Sequence, residues 1–241
     1  MTRAKRESGK VRYRKILQAA LPLFGAKGFA GTTTRELSHA AGVSDALLYK
    51  YFPSKAAIYK GLIDLCTSSG EAVAEKLAQL EPSTESFVKG IYFLFYMVVV
   101  GAPSAKRMKP HLDRLLLQSL AGDGAFAKGF HDSKLVPWIE VLVERGLHVA
   151  EADGDVAHVT DSPQNRLWFA YQVAFNYLMF ITPKTRPVCY DGDADRVFNE
   201  AFLFALRGLG FTPKAINKYF NPGMLREFAQ DLLLSSKKGS V

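Results

Sequence analysis

Twelve cations stand in the first sixty residues: Arg3, Lys5, Arg6, Lys10, Arg12, Arg14, Lys15, Lys27, Arg35, Lys50, Lys55 and Lys60. Only Glu7, Glu36 and Asp45 oppose them, a surplus of nine, whereas the remaining residues hold 19 basic and 20 acidic side chains. The excess charge is therefore local. Its chemistry is ionic and non-covalent, because lysines and arginines that displace condensed counterions supply most of the non-specific affinity for a nucleic acid. The bland alternative is a solvated basic face that serves solubility alone. Covalent chemistry has no comparable candidate. His39, His111, His131, His148 and His158 show no metal-ligand spacing, and there is no G-x-S-x-G and no phosphate-cradling glycine loop. Cys66 and Cys189 are too few and too far apart for a disulfide framework or a zinc site. No enzymatic activity, catalytic residue, cofactor or metal is expected.

The elements that must present these charges are legible between Thr33 and Lys55, TTRELSHAAGVSDALLYKYFPSK. Thr33 and Glu36 have the spacing of a capping box, so a helix begins there. Leu37, Ala40 and Ala41 give it a narrow apolar face that a second helix can approach closely. Gly42 suits the left-handed C-cap, Val43 fills the angle, and Ser44 caps the next helix. That helix runs from Asp45 to Tyr51 and stops before Pro53. Ser54 then caps a third. Two short helices joined by a tight turn have the shape that pushes one helix into a DNA groove.

The order T-T-x-x-L-x-x-A-A-G-V-S-x-x-x-L-Y-x-Y-F-x-x-K resembles the DNA-binding signature of the tetracycline-repressor (TetR) family of bacterial transcriptional regulators. With the preceding helix, the resemblance covers roughly the first quarter of the chain. It implies an all-α fold, with an N-terminal three-helix helix-turn-helix domain and a larger C-terminal helical domain for ligand binding and dimerisation. The expected boundaries are 10–70 for the first, with the motif at 33–52, and 71–241 for the second, with an extra C-terminal helix at 222–235. One departure stands out. Ala46 lies where the family often has glycine, and Leu47 where a polar base reader is expected.

Carried over position by position, the resemblance places the second helix in the major groove. Thr34 and Arg35 open the supporting helix, where free N–H groups favour a phosphate. Ser44, Asp45, Ala46 and Leu47 form the exposed first turn of the recognition helix; Ala46 and Leu47 make only apolar contacts, so specificity rests partly on Arg35, Asp45 and DNA shape. Tyr49, Lys50, Tyr51 and Lys55 are expected at phosphates, and Leu48 and Phe52 in the core. One such unit reads too few base pairs to select a genomic site, so a homodimer on a palindromic operator is expected, its recognition helices ~34 Å or a multiple apart.

Around the motif, Tyr13, Ile16, Leu17, Ala20, Leu21 and Phe24 mark a first helix from about Lys10 to Gly28, with Pro22 as a local conflict where a kink or break is expected. Residues 1–9 read as a flexible basic arm. The helix from Lys55 is expected to continue to about Leu80, and further helices at 84–101, 126–145, 163–182 and 193–208. Residues 150–162 read as an acidic surface loop. No apolar run reaches the ~20 residues needed to cross a bilayer, no secretory leader is apparent, and the cysteine usage suits a reducing cytosol. A cytoplasmic protein without a membrane partner is expected.

The helix 163–182 is apolar nearly all round. With 193–208 it forms either half of a four-helix dimer interface, through Trp168, Tyr171, Phe175, Phe198 and Phe202, or the centre of a monomer core. For a small apolar effector, Tyr92, Phe93, Tyr96 and Trp138, together with Phe87, are candidate cavity residues, with His111, Gln118, Gln172 and Asn176 as orienting groups; ordinary core packing is the alternative for each aromatic. The reading is a sequence-specific DNA-binding regulator, most simply a homodimeric repressor released by a small apolar ligand. Its rivals are an activator of the same family and a basic helical protein bound to a lipid surface.

Overall fold

A computed structural model describes residues 8–67, 71–158 and 162–235. Among them the fold is all-α, and the one β-type pairing is an isolated antiparallel bridge between Val156 and Phe211. The expected arm thus falls mostly outside the described residues, as do positions 68–70 and 159–161.

Two compact units emerge, residues 1–68 with 104–132, and residues 69–103 with 133–241. The first contains α1 (Gly9–Gly31), α2 (Thr34–Ala41), α3 (Asp45–Tyr51), α4 (Lys55–Thr67), α7 (Lys109–Ala121) and the first part of α8 (Ala125–Leu142). The boundary expected at 70/71 therefore needs correction, because residues 104–132 join the N-terminal unit. The reason is packing of α7 on α1, where Gly25 is so close to the His111 backbone that a Cβ would stand 2.7 Å from its carbonyl oxygen. With this addition the unit holds 17 basic and 7 acidic side chains, net +10, against 14 and 16 in the other.

α1 is the spine of this unit. Ile16, Leu17, Ala20, Leu21 and Phe24 are buried on one side, against α2, α4 and α7. Helical dihedrals continue through Pro22, and the break comes instead at Gly28, whose φ of 68° admits no side chain without strain. Phe24, Phe29 and Tyr59 form a ring cluster that reaches Phe126 of α8. Burial there pushes the Tyr59 phenol up to about 12.

The second unit is built round α6 (Thr84–Val99), whose residues Phe87 to Tyr96 are all buried or nearly so, Lys89 excepted. Such a helix must be covered on every side. Its covers are α10 (Pro163–Ile181), α12 (Pro213–Tyr219) and α13 (Pro222–Ser235), with a π turn at Val143–Leu147 and α9 (His148–Ala152). α11 (Ala194–Gly208) packs beside α10. α5 (Glu71–Ala78) follows α4, and the middle of the long helix expected from Lys55 to Leu80, positions 68–70, lies outside the described residues. The helix expected to end near Gly146 instead passes through the π turn and on to Ala152. Within the expected acidic loop, Val156 is 2 % exposed and pairs with Phe211. Arg166, 6 % exposed, fastens this corner: its guanidinium donates to Glu151 Oε1 at 2.6 Å and to the Leu209 carbonyl. Such a buried charge is tolerable because it is paired and hydrogen-bonded.

Candidate nucleic-acid interface

The helix-turn-helix is held by short local bonds. The Thr33 hydroxyl accepts from the Glu36 amide at 3.2 Å, and Glu36 Oε2 accepts from the Thr33 amide at 2.9 Å, completing the capping box. The Lys27 ammonium donates to the other oxygen of Glu36. This bond, with those from Thr33, lowers the carboxyl to about 2. At the turn, Gly42 has φ 65°, and the Val43 amide donates back to the Ser38 carbonyl at 3.0 Å. The Ser44 hydroxyl then accepts from the Leu47 amide at 3.2 Å and starts α3. Leu48 and Phe52 point inward, and the Phe52 ring stacks on Tyr13 at 4.6 Å.

The outward face of α3 carries Ser44, Asp45, Ala46, Tyr49 and Lys50, all exposed, with Leu47 half-buried. Arg35 is exposed at the start of α2, and Thr34 beside it accepts from the Tyr49 hydroxyl at 3.3 Å. Tyr51 is half-buried; its hydroxyl stands 3.7 Å from where a Cβ on Gly9 would be, at the first turn of α1. The Tyr49–Thr34 bond ties the exposed side of α3 to the start of α2. Two assignments change. The Asp45 carboxylate accepts from the Ser38 hydroxyl, so its first role is to hold α3 to α2. Lys55 donates to the carbonyls of Phe29, at 2.6 Å, and Thr32, at 2.9 Å, while lying over the Phe29 ring. It closes the C-terminal end of α1 rather than presenting a free cation to a phosphate, since unpaired carbonyls there attract a positive charge.

The expected effector residues are not brought together. His111 and Gln118 lie on α7, in the first unit, where Gln118 Nε2 donates to the Ala26 carbonyl at 3.4 Å. Gln172 and Asn176 are exposed along α10. Tyr92 is wholly buried with its ring edge-on to Phe198 and Phe202, and its hydroxyl lies beside Arg226 without a hydrogen bond of normal geometry. Phe93 and Tyr96 are buried core residues. Trp138, with Phe87, borders a cavity of ≈ 270 Å³ between α5, α6 and the end of α8.

The dimer residues change too. Tyr171, Phe175, Phe198 and Phe202 are at most 8 % exposed within the single chain, and Trp168 is half-buried edge-on to Tyr171. They serve the protomer's own core because α11 turns Phe198 and Phe202 toward Tyr92 and Phe95 of α6. The large apolar residues most exposed on these two helices are Phe169 of α10 and Phe204 of α11, 63 % and 66 % exposed. Spacing carried the signal: Asn165, Phe169, Gln172 and Asn176 recur at helical intervals on one exposed stripe, as do Arg196, Glu200, Phe204 and Arg207.

Residues 16–62 match the family described as bacterial regulatory proteins, tetR family. Among curated relatives, the nucleoid occlusion factor SlmA of Actinobacillus pleuropneumoniae serotype 5b (strain L20) is 31 % identical over 112 residues, 46 % of this chain and 52 % of the relative. The chain thus spans about half the length of the curated relatives it matches. HlyIIR, a hemolysin II transcriptional regulator, superposes with a TM-score of 0.56 at 17 % identity, over 85 % of this chain and 100 % of that one. PfmR, a TetR family transcriptional regulator from Thermus thermophilus, does so with 0.53 at 20 % identity, over 80 % and 96 %. The last two likenesses establish the fold. The match to the tetR family of bacterial regulatory proteins thus runs through the very helices whose geometry presents Arg35, Tyr49 and Lys50, and it identifies residues 16–62 as a DNA-binding segment of that family's type.

Proposed function

We propose that the protein is a homodimeric repressor that places α3 of each protomer in the major groove of a palindromic operator and leaves the DNA when a small apolar ligand binds the second unit. The observation that carries this reading is the coincidence of an outward α3 face with the unit of net charge +10. Arg35 and the first turn of α3 meet base edges, and Tyr49, Lys50 and Tyr51 meet phosphates. Dimerisation buries the stripe of Phe169 and Phe204, which water would otherwise cover at a cost of about 25 cal/mol per Å² of apolar surface. Action on DNA places the protein in the cytoplasm. Among the described residues no helix is long and apolar enough to cross a membrane.

Selection of bound sequences from random DNA tests the reading. Recovery of a palindrome, bound by two protomers in sedimentation, is the expected result. A direct repeat, or no enrichment together with sedimentation on anionic vesicles, would overturn it.

A further inference from the structure

We infer that the base read by α3 is thymine, recognised in the major groove through its 5-methyl group by the side chain of Ala46. The inference rests on the groove-docking reading proposed above and deepens it, by naming the base that this helix face selects.

Every base pair shows hydrogen-bond donors or acceptors in the major groove, but only one apolar group is displayed there, the C5-methyl of thymine. Two-bond recognition of guanine needs an arginine or lysine, and that of adenine an asparagine or glutamine. The sequence of α3, DALLYKY, holds no arginine, asparagine or glutamine, and its one lysine, Lys50, stands in the last turn. The helix therefore enters the groove without the usual polar readers at its leading end.

The polar side chains around Ala46 are engaged within the motif. The Ser44 hydroxyl accepts from the Leu47 amide at 3.2 Å. The Asp45 carboxylate accepts from the Ser38 hydroxyl. Being ionised it can only accept, so it has nothing to offer the O6 and N7 of guanine. The Tyr49 hydroxyl donates to Thr34 Oγ1 at 3.3 Å, which turns its proton toward the start of α2. Leu48 is buried and Leu47 half-buried. Ala46 is exposed, and it lies three residues before Tyr49 and four before Lys50, on the face that both share. Its side chain ends at Cβ, so the backbone of α3 can come close to the base edge. A methyl laid on a methyl removes water from both. Laid on a polar base edge, the same group would strip hydrogen bonds to water and return none.

The palindrome recovered from random DNA is the test ligand, and it should carry an invariant thymine in each half-site. Uracil pairs as thymine does and lacks only the 5-methyl. Uracil at those positions should weaken binding by the native chain about fourfold per half-site, which is what burial of one methyl group is worth. Ala46→Gly should bind the thymine and uracil duplexes equally, with folding verified by circular dichroism. The same methyl occurs on 5-methylcytosine, so a cytosine–guanine pair at the position should bind more tightly when methylated, yet less tightly than thymine. A palindrome without an invariant thymine, equal affinity of the native chain for thymine and uracil, or discrimination that persists in folded Ala46→Gly would overturn the assignment and leave groove docking standing. Tighter binding of 5-methylcytosine than of thymine would overturn the choice of base. If Ala46→Gly does not fold, a nuclear Overhauser contact between the Ala46 methyl and a thymine 5-methyl in the native complex decides, and its absence overturns the assignment. No enrichment of any sequence sinks the docking reading, and the choice of thymine with it.

Discussion

The Ser38 hydroxyl of α2 donates to the Asp45 carboxylate at the start of α3. This bond spans the turn and ties the start of α3 to α2. Ser38 is 4 % exposed, whereas the Asp45 carboxylate that loses its donor on removal of the hydroxyl lies at the surface, open to water. Ser38→Ala should lower stability by about 1 kcal/mol, the usual worth of an intramolecular hydrogen bond. It should also weaken operator binding more than non-specific binding, because the orientation of α3 matters only to base readout. Parallel titrations on operator and random DNA measure both; equal losses would contradict the role.

Lys55 and Lys50 should behave differently on removal. Lys50→Ala should weaken binding on all sequences alike and reduce the slope of log affinity against log salt by about one, the mark of a lost phosphate contact. Lys55→Met should leave that slope unchanged and lower the melting temperature, because the carbonyls of Phe29 and Thr32 lose their donor. Buried acceptors left without a partner cost about 1–3 kcal/mol. A reduced slope in Lys55→Met would restore the lysine to the DNA surface.

Phe169 and Phe202 give the corresponding contrast in the second unit. Phe169→Asp, at a position 63 % exposed, should convert the proposed dimer to monomers in analytical ultracentrifugation while leaving the helical content intact. Phe202, fully buried against Tyr92 and Phe95, should instead destabilise the protomer by about 3–5 kcal/mol when cut to alanine. A dimeric Phe169→Asp would show that the two chains meet elsewhere.

Acid should act on the capping box in a defined window. The Glu36 carboxyl has its pKa lowered from 4.5 to about 2 by Lys27 and Thr33. A group whose folded value is depressed contributes stability that is fully present above its unfolded value and is lost as pH falls toward the folded one. The stability difference between the native chain and Glu36→Gln should therefore be constant above roughly pH 5 and shrink between about 4.5 and 2. Denaturant melts across that range measure it. A difference independent of pH would show that the ion pair with Lys27 does not hold in solution.

The helix-turn-helix was legible in one dimension because its determinants are local. Thr33, Glu36, Gly42, Ser44 and Pro53 act on backbone groups within four residues, and the structure places each cap accordingly. Long helices such as α6 and α10 were legible as apolar runs bounded by proline, Pro103 beyond the end of α6 and Pro163 at the start of α10. Burial of Leu48 and Phe52 followed from the helical period.

Where a side chain points between distant segments was a different matter. The attachment of residues 104–132 to α1 depends on a close approach at Gly25 that no neighbouring residue announces. Lys55 bonds to carbonyls 26 and 23 positions away, which only the packing of α1 on α4 brings near. An all-round apolar helix such as α10 has no preferred face in its own period, so α6 and α11 chose which aromatics went inside and left Phe169 out. Hydrogen bonds along the chain are specified by spacing, whereas contacts across it are settled by which surfaces exclude the most water together.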